Sequence, residues 1–269
     1  MASLISFPMF ARSVPRAFPT LYVARYLTLC AGLMTGMLPL AHAQNSNSAP
    51  TSTSSSASAR QTLPDTIAQR VVACTACHGK EGRASSDGFY PRIAGKPEGY
   101  LFNQLTNFRD GRRQYPLMTY LLDHLSDAYL HEIANYFSEQ HPPYPAPQPS
   151  DATPAVLERG RNLVMNGDSS KKVPACIACH GQVLTGVAPA VPGLIGLPRD
   201  YINSQFGAWR NGVRKAKAPD CMAQITQKLT LEDINAASSW LAAQAVPEGA
   251  VPAPATTVKL PLACGSATE

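Results

Sequence analysis

Cys74, Cys77 and His78 stand in the pattern Cys-x-x-Cys-His, and Cys176, Cys179 and His180 repeat it about a hundred residues later. This is the attachment signature of a c-type haem. The spacing has a chemical reason. Two such thiols can each form a thioether with a vinyl group on one porphyrin edge, and the imidazole next in line can swing under the ring to ligate iron. Two other readings use the same cysteines. A redox disulfide expects strand–helix alternation around the pair, which the pattern here lacks. Both pairs together could hold zinc through four thiolates. Neither explains a histidine beside each pair, or the methionine that follows each motif at a matching place.

The elements around the motifs repeat as well. Pro91, Gly95 and Tyr100 match Pro192, Gly196 and Tyr201, and Phe108 to Gly111 match Trp209 to Gly212. Leu125 matches Leu229, and Tyr136 matches Trp240. The offset drifts from 101 to 104 residues, as small insertions would make it. A duplicated domain is the economical explanation. Pro64 is placed to begin a helix carrying Ile67, Val71 and Val72 into the first motif. In residues 126–140, Leu130, Ile133, Ala134 and Phe137 share one helical face, with Ser126 placed as the cap. Thr230 and Asp233 have capping-box spacing at the matching helix of the second copy.

The repeat also selects a second ligand for each iron. Beyond residue 43 the chain has three methionines, Met118, Met165 and Met222. Met118 and Met222 each stand seven residues before the matched leucines, in Pro-containing stretches ahead of the last helix. A thioether there can close over the open face of the iron and raise its reduction potential. Met165 belongs to an apolar helix face and reads as packing. His124, His131 and His141 have no counterparts in the second copy and read as surface or satisfied helix histidines.

Outside the repeats, composition limits the function classes. Residues 1–43 read as an export signal: Arg12, Arg16 and Arg25, an apolar run, then Ala41-His-Ala43 as a cleavage site. A retained anchor is the other reading of that segment. Residues 44–59 are rich in Ser, Thr and Ala and read as a flexible tether; residues 141–154 read as a Pro-rich linker, and residues 247–269 as a Pro-rich tail. Removing the three signal arginines from 23 basic residues leaves 20 against 18 acidic ones. That balance gives no clearly basic face for nucleic acid.

The two Cys-x-x-Cys-His motifs, the paired Pro-x-Ile/Leu-x-Gly segments, the two methionines and the closing helices resemble the two-haem c4-type cytochromes of bacterial periplasms. The resemblance covers nearly all of residues 60–246. It implies an all-α fold of two tandem class I cytochrome c domains, residues 60–140 and 155–246, with long loops closing the methionine sides. It further implies two covalently bound haem c groups, with His78 and Met118 on one iron and His180 and Met222 on the other. The carbonyls of Pro91 and Pro192 would take a hydrogen bond from the haem histidines and fix their orientation.

Two features depart from that pattern. Residues 166–174 lengthen the approach to the second motif, and Cys221 and Cys264 are left over. In an oxidising compartment an even leftover pair is expected to form a disulfide, pinning the tail beside the second haem. The alternative is Cys221 as a thiolate ligand, which would lower the potential and suggest sulfur chemistry. Arg214, Lys215 and Lys217 read either as a cluster steering an acidic partner or as ordinary loop charges.

With both irons six-coordinate there is no place for a small-molecule substrate, and the expected role is electron transfer rather than catalysis. The expected partners are redox proteins: a quinol-oxidising complex or dehydrogenase as donor, and a terminal oxidase or reductase as acceptor. The remaining alternatives are an electron-transfer subunit of one dehydrogenase, or a haem enzyme such as a peroxidase or thiosulfate-oxidising cytochrome. The last would need a labile sixth position on one iron.

Overall fold

A computed structural model describes residues 64–85, 88–255 and 260–267 of the chain. The expected export signal and tether lie outside the described residues. Among the described residues ten α-helices carry the fold: α1 Ile67–Arg70, α2 Val72–His78, α3 Glu98–Arg109, α4 Pro116–Leu122, α5 Asp127–Ser138, α6 Pro154–Asn166, α7 Ile177–His180, α8 Arg199–Arg210, α9 Cys221–Lys228 and α10 Leu231–Ala242. The described strands are β1 Gly186–Val187 and β2 Val191–Pro192, which pair antiparallel. The fold is therefore all-α in substance.

Two sets of helices close on separate cores. In the first, α3 and α5 pack together, and Val71, Phe102, Leu130, Ala134 and Phe137 form the centre of a buried cluster. Ser126 caps α5 by accepting a hydrogen bond from the Tyr129 N–H, as its spacing implies. The helix expected from Pro64 is instead interrupted at Val71, so α1 and α2 are separate short pieces. Val71 is buried against the first core at this break.

The second set is longer and tighter. Its α6 packs along α10, and the crossing depends on Gly160. A Cβ there would lie 2.1 Å from the Ala236 carbonyl oxygen. Val164, Ile202, Ala237 and Leu241 fill the adjoining core. At the start of α10 both hydrogen bonds of the Thr230–Asp233 capping box are present. The Asp233 carboxylate is buried and paired with Lys171 and Arg159. Burial would raise its pKa, but the hydrogen bonds from Lys171, the Thr230 N–H and Arg159 outweigh burial and hold it at about 2.

Residues 141–153 have no regular secondary structure, yet they are held at both sides, and Pro154 already begins α6. Arg92 is buried, stacks on Tyr144 with its guanidinium 3.9 Å from the ring centroid, and donates to the Pro142 and Pro143 carbonyls. Further on, the Gln148 N–H donates to the Ala242 carbonyl.

Candidate haem-binding sites

Helix α2 carries Cys74, Cys77 and His78, and in the second half Cys176 caps α7, which carries Cys179 and His180. Both imidazoles are buried and meet a proline carbonyl through Nδ1: His78 to Pro91 at 2.8 Å, His180 to Pro192 at 2.7 Å. A carbonyl only accepts, so each Nδ1 must carry the proton and each Nε2 keeps a free lone pair. Burial pushes the pKa of both histidines down, partly opposed by these hydrogen bonds. Neutral imidazoles held in one tautomer suit iron ligation.

The four motif cysteines are free thiols, not disulfides. Burial pushes Cys74 and Cys179 up, and Cys176 up to about 11. Among the described residues no three His, Cys, Asp or Glu side chains are grouped to hold a metal ion. Neither the redox-disulfide reading nor the four-thiolate zinc reading therefore fits.

In the second half one cavity, lined almost wholly by apolar atoms, brings the expected site residues together. Cys176, Cys179, His180 and Pro192 form part of its wall, and Met222 forms another part. In the first half, Cys74 and Met118 both pack against the first core, and His78 lies beside Pro91. Both methionines occupy the first turn of a helix, Met118 in α4 and Met222 in α9. This corrects the expectation of long loops on the methionine side. Pro116 at the helix start and the Asp220 cap, which accepts from the Ala223 N–H, make helices of these short stretches.

The other candidates fall as follows. Met165 packs against the second core. His124 and His141 are exposed, while His131 stacks on Phe102 and meets Glu98 at 2.8 Å. Cys221 is bonded to Cys264, so the thiolate-ligand alternative does not fit this structure.

The Arg214 reading is corrected. Arg214 is buried between the two halves, not part of a surface cluster. It stacks on Trp209 with its guanidinium 3.8 Å from the ring centroid and donates to Gln205 and Gln104. Arg113 mirrors it, stacked over Phe108 and donating to Gln104 and Gln205. The backbones of these two arginines form an antiparallel bridge, flanked by the Gln114 N–H to Val213 O and Lys215 N–H to Arg112 O bonds. The loop's place at this junction, rather than its charge, decides where Arg214 goes.

Sequence reasoning missed Arg113 and Lys96. Lys96, from the first half, is buried on the wall of the second cavity, and burial lowers its pKa to about 8. Burial lowers that of Arg214 too, and Arg113 adds to the effect. Among the described residues, no carboxylate pairs with Lys96, Arg113 or Arg214. Trp209 Nε1, on the same cavity wall, is a buried donor without a partner. Buried cations and an idle donor around an apolar cavity fit a flat apolar group that brings its own carboxylates, as haem does with its propionates. The signal for Arg113 was present in the repeat, since the 101-residue offset sets it against Arg214 and Gln104 against Gln205.

No protein-family model matches the chain. It is 39% identical over 174 residues to a thiosulfate dehydrogenase electron acceptor of Thiomonas intermedia, covering 64% of this chain and 79% of that protein. It is 34% identical over 174 residues to a cytochrome c4 of Pseudomonas aeruginosa, covering 64% and 84%. Among solved structures, reduced recombinant cytochrome c4 from Pseudomonas stutzeri is similar with a TM-score of 0.57 and 32% identity, covering 65% of this chain and 95% of that one. A thiosulfate dehydrogenase (TsdBA) from Marichromatium purpuratum is similar with a TM-score of 0.58 and 28% identity. The match takes in 64% of this chain but only 36% of that longer one.

Proposed function

Because the chain belongs to the cytochrome c4 family, and is thus an electron-transfer cytochrome with two covalently bound haem c groups, we propose that it carries electrons between redox proteins in the bacterial periplasm, with the residue roles that follow. Cys74 and Cys77 attach the first haem and Cys176 and Cys179 the second, within domains spanning residues 60–140 and 155–246. His78 with Met118 would hold one iron, and His180 with Met222 the other. When bound, each haem supplies a one-electron couple.

The protein's own residues then do three things. The Pro91 and Pro192 carbonyls hold the Nδ1 protons, so that Nε2 of each histidine faces the metal position in one fixed orientation. The methionine thioethers would complete the ligation of each iron and favour its reduced state. Lys96, Arg113 and Arg214 supply positive charge at the junction of the two halves, where the haem carboxylates would otherwise be buried unpaired. None of these roles needs a small-molecule substrate or a catalytic residue.

The observation that carries the reading is the matched pair of His–Pro hydrogen bonds beside two free Cys-x-x-Cys pairs. Export to the periplasm is supported by the basic, apolar and small-residue pattern of residues 1–43. No helix of the described residues is long and apolar enough to cross a membrane. The 39% identity to an electron acceptor of thiosulfate dehydrogenase favours a thiosulfate-oxidising protein as donor, with a terminal oxidase or reductase as acceptor.

A spectroscopic redox titration of the holoprotein, with and without cyanide or carbon monoxide, tests the reading. Two low-spin transitions at positive potential, untouched by either ligand, are expected. One low-potential or ligand-binding haem would overturn it and point to catalysis. Stopped-flow mixing with a reduced thiosulfate dehydrogenase tests the donor, and absence of reduction under those conditions would remove that assignment.

A further inference from the structure

The chain beyond the second core does not trail away. Ala253 pairs in parallel with Val187, its N–H donating to Gly186 O and its carbonyl accepting from the Ala188 N–H, each at 2.8 Å. This fixes the tail to β1, a few residues after His180. Further along, Leu260 and Leu262 line the cavity that holds His180 and Met222. Cys264 is then bonded to Cys221, the residue directly before Met222. The next residue, Gly265, lies so close to the 218–219 backbone that a Cβ would stand 2.2 Å from Ala218 O, and its N–H donates to Pro219 O at 3.0 Å. Finally Ser266 O accepts from Asn103 of the first half.

The tail thus pairs with β1, which packs against α7, lines the cavity wall through Leu260 and Leu262, and closes with a covalent bond at the start of α9. We infer that this strap is a positioning and exclusion element for the second haem: the Cys221–Cys264 bond holds Met222 at its iron, and Leu260 and Leu262 keep small ligands and water from the crevice. The inference rests on the reading of Met222 as a ligand. Its logic is mechanical. Met222 sits in the first turn of an eight-residue helix that follows a stretch of turns and bends, so little regular structure fixes its approach. A covalent tie one residue away removes the freedom by which a thioether would leave the metal. Among the described residues the first half has no such tie, and at the place equivalent to Cys221 it carries Leu117, which is exposed.

The test compares ferric holoprotein of the wild type, C221S/C264S, and a Leu260→Ser, Leu262→Ser variant that keeps the disulfide. Cyanide binding is followed at each haem, and the methionine methyl resonances of the reduced protein are followed by NMR, with the second assigned from its loss in Met222→Leu. Cyanide is expected to bind the second haem of C221S/C264S at least tenfold faster, with the Met222 methyl resonance broadened or lost and the first haem unchanged. The leucine variant is expected to accelerate cyanide with the methyl signal retained. If the cysteine variant fails to take up haem, the leucine variant still decides whether the strap excludes ligands. Rates within twofold of wild type in the variants that fold, or equal acceleration at both haems, would overturn the inference. A wild type lacking the second methionine signal would remove the ligand reading and the inference with it.

Discussion

The two halves share a frame of histidine, proline carbonyl and methionine and differ in much of what closes around it. In both, a short helix ends in a histidine whose Nδ1 meets a proline carbonyl, at 2.8 Å and 2.7 Å, and a methionine lies in the first turn of a later helix. Around the first methionine, α4 turns Leu117, Tyr120 and Leu121 to solvent, with Tyr120 80% exposed. Around the second, α9 is tied to the tail by a disulfide and faces a cavity also walled by Lys96 and Asn103 of the other half. The lesson is that a duplicated unit keeps its His–Pro hydrogen bond and its helical methionine while its surroundings diverge. Here the first half presents an open apolar face, while the tail covers part of the second.

The sharpest way to break this comparison is to remove the shared part. Met222→Ala is expected to turn the second haem from unreactive to fully reactive with carbon monoxide and to lower its potential, leaving the first haem little changed. Met118→Ala should do the same to the first haem alone. Optical titration under carbon monoxide distinguishes the two. An unaltered second haem in Met222→Ala would show that the halves do not share a methionine ligand.

The next effect belongs to the second half only. Gly160→Ala places a Cβ against the Ala236 carbonyl where α6 meets α10, and main chain cannot turn aside as a side-chain tip can. We expect a loss of about 3 kcal/mol in stability, at the upper end of overpacking costs, read by denaturant unfolding. An alanine tolerated without loss would mean that the helices separate easily, and that the second half is no more rigid than the first.

How much of this was legible beforehand follows from what kind of signal each residue carries. The haem motifs, the prolines and the paired methionines stood out because the chemistry proposed for them demands fixed residue types at repeated places. Ser126 and the Thr230–Asp233 box were readable because capping is local. The break at Val71 was not, since it reflects packing of that side chain into a core assembled from α3 and α5. Arg214 was misread because net charge along a loop says nothing about which face another part of the chain will cover. Lys96 was beyond reach for the same reason: its counterpart in the repeat is Leu197, and its role depends on a cavity built by the other half.

Asp233 offers a smaller and pH-dependent contrast. Its folded pKa, about 2, lies below the ordinary 3.8. The carboxylate therefore contributes stability that is complete above about pH 4 and is lost as pH falls toward 2. Asp233→Asn should cost about 2 kcal/mol at neutral pH, the range for hydrogen bonds to a charged group, and flatten the stability curve between pH 4 and 2. Denaturant titrations across that range check both. A wild-type curve already flat there would show that the Lys171 and Arg159 pairs contribute nothing.

The smallest effect is expected where the halves are most alike. Arg113 and Arg214 face one another across an almost symmetric set of partners, Gln104 and Gln205, with no acid among the described residues to separate them. Arg214→Gln removes hydrogen bonds to half-buried partners but also relieves repulsion between like charges, so the net loss of stability should be only about 1 kcal/mol. Its electrical effect has one sign. A cation near a haem favours the reduced state, in which the iron carries less positive charge, so losing it must lower the potential. Because the junction is shared, both haems should shift downward together in a redox titration, and Arg113→Gln should produce the same pair of shifts. A change confined to one haem would show that the symmetry of the arginine pair is one of backbone and hydrogen bonds, and that each half sets the potential of its own iron.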